Sequence, residues 1–183
     1  MKKGIIDRIN ILGGIYNSVG EDIQSKLEGI SFDRSFLLKE FEDYLQDSMY
    51  SRIKEGENIL EGDISYPRIN YQTELFTPFK EGTKDFLENK GLISKEKVQE
   101  IIPYDDPEFI IIGSSDSWPN YYFICSADKD SENPTVYTTD HEVYFDEIEK
   151  LGTLEDFFNL FVSPEEFGMT IENLRKELKK KEE

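Results

Sequence analysis

The sequence predicts an α+β fold in which a mixed or antiparallel β-sheet is flanked by helices. Before residue 102 and after residue 153, apolar residues recur in several segments at intervals of three and four, the spacing of one helix face. Between residues 108 and 139, runs of β-branched and aromatic residues alternate with polar loops, which is typical of strands. The chain has 183 residues, 37% of them hydrophobic, and this suffices for a core, so we expect a single domain over residues 1–183.

Helices dominate the predicted first half. Ile5, Ile9 and Leu12 share one helix face, and the glycine pair at 13–14 is a stop signal. The most regular helical pattern of apolar residues runs from 36 to 49. In chain order, the elements predicted in this half are a helix at 5–12, a strand at 27–32, a helix at 36–49, a mixed segment at 69–79 with a loop or edge strand at 75–79, and helices at 83–89 and 94–101, the last with Ser94 as its N-cap.

The predicted sheet occupies the next segment. The first strand is apolar throughout, as a strand covered on both faces is. A polar run at 128–133 predicts a hairpin loop between the second and third strands. The predicted strands are 108–113, 120–127 and 134–139, with residues 143–145 continuing the sheet.

The last part of the chain is predicted to be helical from its capping residues. Thr153 is an N-cap with acidic residues in the turn that follows, where the helix dipole favours them. Ser163 opens a capping box with Pro164 at the first helical position. Thr170, after a glycine, is the predicted cap of a final helix.

Acidic residues are concentrated in the segment 104–157. It holds fourteen acidic residues against two lysines, a net −12 of the −18 that the whole chain carries. A disordered acidic tail would lack the isoleucine and tyrosine runs of this segment, so it predicts a folded surface with a strong negative field. Such a field repels nucleic acid and attracts basic proteins or cations. Binding therefore follows from it more readily than catalysis.

Single cysteine and histidine residues limit the chemistry further. Cys125 and His141 are the only residues of their types, so the chain cannot form an internal disulfide or a site built from several Cys and His ligands. No apolar run approaches the roughly 18–20 residues of a membrane span, and Asp7 and Arg8 interrupt the apolar start too early for a signal peptide. We expect a soluble cytoplasmic protein with no membrane partner.

The hairpin loop partly matches a calcium-binding loop. Asp128, Asp130 and Glu132 stand at alternate positions, as the first ligands of such a loop do. The motif needs Gly at its sixth place and Glu at its twelfth, where this chain has Asn133 and Thr139. A solvated hairpin turn fits better, and we expect no metal or other cofactor.

His141 invites a catalytic interpretation because it stands between Asp140 and Glu142. Adjacent residues on a strand point to opposite faces, so the imidazole cannot use both carboxylates. No nucleophile-elbow motif occurs, and the zinc-protease pattern fails because Phe145 stands where its second His belongs. A structural hydrogen bond at a strand end is the favoured role. We expect a protein that is not an enzyme.

Two loops of the acidic segment form the predicted partner-binding surface. The loop at 114–121 places the only tryptophan beside tyrosines, and these side chains commonly anchor interfaces. The alternative for the tryptophan is a lid over the sheet edge. Carboxylates of both loops would steer a basic partner. The predicted contact residues are Asp116, Trp118, Tyr121, Asp128, Asp130 and Glu132.

The second half of the chain contains a series of short motifs. They are an apolar strand at 107–113, an aromatic strand at 121–123, the segments 133–137 and 140–142, and a helix start with paired phenylalanines at 152–158. In these motifs and their order the chain resembles the SUKH superfamily, which includes yeast cell-wall-assembly regulators and many bacterial immunity proteins. The likeness covers about residues 103–165, whereas the helical first half departs from the family's usual opening.

The resemblance implies a SUKH-like α+β domain that binds and neutralises a toxin domain, often a nuclease, and it brings no catalytic residue. Nucleases are commonly basic because they hold phosphates, and an acidic protein can cover such a site. We therefore expect an immunity protein whose partner is a basic protein toxin domain. The alternatives are a regulatory or scaffold protein that binds an endogenous partner and, third, a small hydrolase or calcium-binding protein.

Overall fold

A six-stranded antiparallel sheet forms the centre of the fold. The computed structural model describes residues 1–18, 20–116 and 120–181, without the side chains of residues 46 and 47. The predicted α+β class is confirmed, and the strands of the main sheet pair in chain order. They are β3 (Phe36–Leu37), β4 (Arg68–Phe76), β5 (Phe109–Ser115), β6 (Tyr121–Cys125), β7 (Thr135–Thr139) and β8 (Glu149–Thr153), while β1 (Ile15–Tyr16) and β2 (Ile30–Ser31) form a separate two-stranded sheet.

Helices surround the sheet. In the described part of the chain they are α1 (Lys3–Ile11), α2 (Ile23–Glu28), α3 (Phe41–Tyr44), α4 (Tyr50–Lys54), α5 (Lys84–Asn89), α6 (Lys95–Ile101), α7 (Leu154–Phe158) and α8 (Pro164–Lys180). A π-helical segment, Leu45–Met49, joins α3 to α4, and a short 3-10 turn lies at Glu61–Asp63. None of the helices described is both long enough and apolar enough to cross a bilayer.

One face of the sheet packs against α1, α2 and α7. Ile112 and Tyr122 belong to the same buried cluster as Ile9 of α1 and Phe157 of α7. Phe157 approaches the sheet closely because Gly113 has no side chain, and a Cβ at this glycine would lie 3.2 Å from the Phe157 ring. This glycine therefore permits close packing of the helix on the sheet.

The opposite face is covered by α6 and by the loop between β7 and β8. Phe109 and Phe123 point to this side, where Val98 of α6 is fully buried. Phe145 of the loop is 1% exposed, and its ring centroid lies 4.7 Å from that of Phe123 and 5.2 Å from that of Phe109. The aromatic core thus fixes the middle of a loop whose other residues reach the surface.

A third buried cluster joins α8 to the helical segment 41–54. Phe41 and Ile53 from that segment pack with Phe167 and Ile171 of α8. The outer edge of β3 is also protected, because Leu38 forms an antiparallel bridge with residue 161. Capping of this edge removes a row of groups that could pair with another chain.

The predicted helix at 36–49 begins later than expected. Phe36 and Leu37 form β3 and pair with β4, and the helix starts at Phe41. Both residues of β3 are apolar and fully buried, so this strand lacks the alternation of apolar and polar residues that marks a strand with one exposed face. Consecutive apolar residues fit a strand buried on both faces as well as a helix, and pairing with β4 decides the outcome here.

Several other predictions need correction. The mixed segment at 69–79 lies mostly in β4, which is flanked by β3 and β5, and of the loop or edge strand predicted at 75–79 only residues 77–79 lie outside a strand. The strand predicted at 27–32 is confined to Ile30–Ser31 because Leu27 belongs to α2. Residues 143–145 form a turn, and the sheet continues instead at β8. The helix capped by Ser163 runs through Thr170 without a break.

The predicted capping residues are confirmed where they open α6, α7 and α8. The hydroxyls of Ser94, Thr153 and Ser163 each accept a hydrogen bond from the backbone N–H three residues ahead, at 3.3, 3.4 and 3.2 Å. The helix at 5–12 and the three central strands are confirmed as well, and β6 and β7 form the expected antiparallel hairpin. The C-terminal order β7, β8, α7 then places a long exposed loop at one end of the sheet.

Candidate functional site

The predicted contact residues lie at opposite ends of strand β6. Asp116 lies before this strand and Tyr121 is its first residue, whereas Asp128 belongs to the hairpin loop that follows it. The five residues of β6 separate the two loops by roughly 13–17 Å, at about 3.3 Å per residue. Trp118 lies outside the described residues. The two loops are therefore not neighbours.

The aspartates of the hairpin loop close the turn on itself. The Asp128 carboxylate accepts hydrogen bonds from the backbone N–H of Asp130 at 2.9 Å and of Thr135 at 2.9 Å. Asp130 accepts from the backbone N–H of Glu132 at 3.1 Å and of Asn133 at 3.0 Å. Carboxylates that accept these N–H bonds stabilise a turn. Among the described residues, no group of His, Cys, Asp and Glu is arranged to hold a metal ion.

Glu132 is held by cations of the same molecule. Its carboxylate pairs with the buried Lys26 ammonium and with the amino group of Met1. The hydrogen bond from Lys26, followed by that from the amino group, lowers the pKa of Glu132 from 4.5 to about 2. The negative charge of this residue is therefore matched inside the molecule and contributes little to an external field.

The other end of the sheet also carries exposed carboxylates, and we call it the acidic end. It comprises Asp116, Tyr121 and the β7–β8 loop at residues 140–148. Asp116 accepts a hydrogen bond from the backbone N–H of Arg68 at 3.0 Å, and its side chain remains exposed. The exposed acidic residues of the β7–β8 loop are Glu142, Asp146 and Glu147. Within the described chain, only Asp146 of these three has an ion-pair partner, Lys97 at 3.3 Å.

Hydrogen bonds inside the β7–β8 loop fix its backbone. The hydroxyl of Thr139, which is 3% exposed, accepts a bond from the Phe145 N–H at 2.9 Å and donates to the Glu147 carbonyl at 2.9 Å. Tyr144 and Phe145 have positive φ angles of 25° and 63°, which are unfavourable for residues with a side chain. Such backbone persists only where its surroundings hold it, so this loop is rigidly built.

His141 connects the two loops of the acidic end. Its backbone N–H donates to the side-chain oxygen of Asn120 at 3.3 Å, and its ring Nδ1 contacts the same oxygen. Asn120 in turn donates to the Ser115 carbonyl at 3.2 Å. The Asp140 carboxylate lies 3.4 Å from the ring. This geometry is the structural role that the sequence predicts, although His141 lies in a turn after β7 and not on the strand.

A groove at the acidic end was missed by sequence reasoning. Its volume is about 470 Å³, and its wall combines apolar and acidic side chains. The lining residues are Leu92, Lys97, Glu142, Val143, Tyr144, Asp146 and Glu147. The prediction that 143–145 would continue the sheet concealed this feature, because strand residues would not have formed an exposed loop beside α6.

Comparisons with models of protein families, with curated proteins and with solved structures gave no match for this chain. Its function is therefore inferred from the acidic end and from the sequence motifs.

Proposed function

We propose that this protein binds and neutralises a basic toxin domain, without catalysis, by covering it with the acidic end. The observation that supports this most directly is the pair Glu142 and Glu147, whose exposed carboxylates lack ion-pair partners in the described chain and stand on a loop held by the hydrogen bonds of Thr139. The hairpin carboxylates at the opposite end are engaged within the molecule. The acidic end is therefore the better contact surface.

Electrostatics favours this mode of action. A chain of net charge −18 attracts a basic partner over long range and raises the rate of encounter. Oppositely charged surfaces then orient the two proteins, which gives specificity and a high association rate. A nuclease toxin presents basic residues where it holds phosphates, so an acidic cover would block substrate from that site.

The resemblance to the SUKH superfamily points in the same direction. Bacterial members of that superfamily are typically cytosolic immunity proteins, and the motifs at 107–113 and 152–158 are among those that carry the likeness. The proposed contact residues are Asp116, Tyr121, Glu142 and Glu147, with Trp118 as a further anchor predicted from the sequence. A rigid loop reduces the ordering cost of binding, which suits a tight inhibitor.

Capture of the partner, followed by a protection assay, tests this function. The tagged chain is used to capture proteins from cells of its source, elution follows a salt gradient, and the released protein is then produced in a host together with the chain. We expect a basic toxin domain that is released only at high salt and whose toxicity the chain suppresses. A partner that is an endogenous regulatory or envelope protein would overturn the toxin proposal in favour of a regulator.

A charge-reversal pair locates the interface. The double variant Glu142→Lys/Glu147→Lys should slow association with the captured partner several-fold at low salt, and the difference should shrink at high salt because salt screens exposed charges. The matched control is Glu21→Lys/Glu81→Lys, which changes the net charge equally at two exposed residues outside the acidic end. Equal association rates for both double variants would move the interface away from the acidic end.

A further inference from the structure

The groove at the acidic end exposes apolar surface that the fold itself does not cover. Leu92 is 70% exposed and Val143 is 36% exposed, and both line the groove with the half-buried Tyr144. Single exposed apolar side chains are common on protein surfaces. Here they line one open groove of about 470 Å³, together with acidic side chains.

The charges of the groove select the chemistry of its occupant. Asp146 is paired with Lys97 at 3.3 Å, so these two groups neutralise each other. Glu142 and Glu147 have no ion-pair partner among the described residues, so the groove retains two negative charges. An occupant that complements both features needs a cationic group and an apolar stem.

We propose that the groove receives an arginine side chain of the protein partner, together with an adjacent apolar residue, and this rests on the proposed function. The methylene stem of arginine can lie on Leu92 and Val143 while its guanidinium reaches the carboxylates. The planar guanidinium also stacks on aromatic rings such as that of Tyr144. Lysine fits less well, because its compact ammonium is more strongly hydrated and cannot bond two carboxylate oxygens in one plane.

The construction of the loop supports a preformed groove. The Tyr144 N–H donates a hydrogen bond to the Asp140 carbonyl at 2.9 Å, and the Glu142 N–H donates one to the Asp140 carboxylate at 2.7 Å. Phe145 anchors the same loop in the aromatic core. The side chains of Glu142 and Val143 therefore stand on a backbone that does not have to be ordered when the partner binds.

A peptide titration followed by methyl NMR tests the groove directly. The intact protein, with labelled leucine and valine methyl groups, is titrated with acetyl-Leu-Arg-Leu-amide. The control peptide replaces arginine with citrulline, which has nearly the same shape and no charge. We expect saturable shifts at Leu92 and Val143. We also expect about tenfold weaker binding of the citrulline peptide, a factor at the lower end of the coupling between close charge pairs.

Two protein variants complete the experiment. Glu142→Gln/Glu147→Gln should weaken binding of the arginine peptide about tenfold, whereas the control Glu21→Gln/Glu81→Gln should leave it within about twofold. Equal binding of the two peptides, no shift at Leu92 and Val143, or equal weakening in both variants would overturn the inference. The protection assay tests the toxin proposal separately. If the groove binds arginine but the protein neutralises no toxin, this inference stands and only the proposed function is removed.

Discussion

Replacement of Thr139 with valine tests whether one buried hydroxyl holds the acidic end in shape. Thr139 is 3% exposed, and its hydroxyl links the Phe145 N–H to the Glu147 carbonyl, each at 2.9 Å. Valine has nearly the same shape, so the substitution removes the two hydrogen bonds and leaves the packing almost unchanged. The loop that carries the exposed glutamates would then lose its link to β7.

The cost of this substitution follows from the two groups that lose their partner. The Phe145 N–H is buried, and a buried donor without an acceptor costs about 1–3 kcal/mol. Glu147 is an exposed residue, so its carbonyl can bond to water and adds little. We expect the free energy of unfolding to fall by about 2 kcal/mol, which corresponds to a Tm lower by about 4–8 °C in a chain of this size.

Urea unfolding followed by circular dichroism measures the change, and Thr138→Val is the matched control. Thr138 is 4% exposed, and within the described chain its hydroxyl makes no hydrogen bond. The control should therefore change stability by less than about 0.5 kcal/mol. Hydrogen exchange at the Phe145 amide should become about 30-fold faster in Thr139→Val, which is the same 2 kcal/mol expressed as a ratio. Equal urea midpoints for both variants, with unchanged exchange at Phe145, would refute this account of the loop.

Two further substitutions test the end of the sheet that carries the hairpin loop. Gly152→Ala should destabilise the protein by about 1–3 kcal/mol in urea unfolding. The reason is that Gly152 has a φ of 154° and that a Cβ there would lie 2.6 Å from the Asp156 carboxylate. The control Gly168→Ala, at a glycine of α8 with open space around it, should be neutral or stabilising. Glu132→Gln should lower the Tm at pH 5–7 but not near pH 2. The lowered pKa of Glu132 means that its stabilisation is present above 4.5 and is lost as the pH falls through about 2. A Tm difference that is the same at every pH would contradict this role of Glu132.

The sequence predicts best those elements that local chemistry decides. The strands β5, β6 and β7 combine β-branched and aromatic residues between polar loops, and capping residues open α6, α7 and α8. In each case the residues that give the signal also make the contacts that hold the element. Such agreement between local preference and final fold is expected in natural proteins.

Two strands, β3 and β8, form because of tertiary contacts that no local sequence pattern indicates. Phe36–Leu37 fitted the helical spacing of the residues after them, and only pairing with β4 makes them a strand. Strand β8, Glu149–Thr153, contains two charged residues and a glycine, a composition that is poor for strands. It forms the exposed edge of the sheet, where charged side chains are common because they discourage pairing with other chains.

For the candidate site as well, the sequence indicates the chemistry of the surface but not which loops lie close together. The sequence indicates an acidic, aromatic surface, but closeness along the chain suggests that the loops around Asp116 and Asp130 are neighbours, and strand β6 separates them by its own length. Reversal of the charge at Asp128 or Asp130 would remove acceptors that close the hairpin turn, so any loss of binding would mix altered folding with altered contact. Within the described chain, the carboxylates of Glu142 and Glu147 accept no such bonds. Substitution of these two glutamates therefore tests binding alone. Weaker binding of a basic partner by such a variant reports lost contacts and not altered folding.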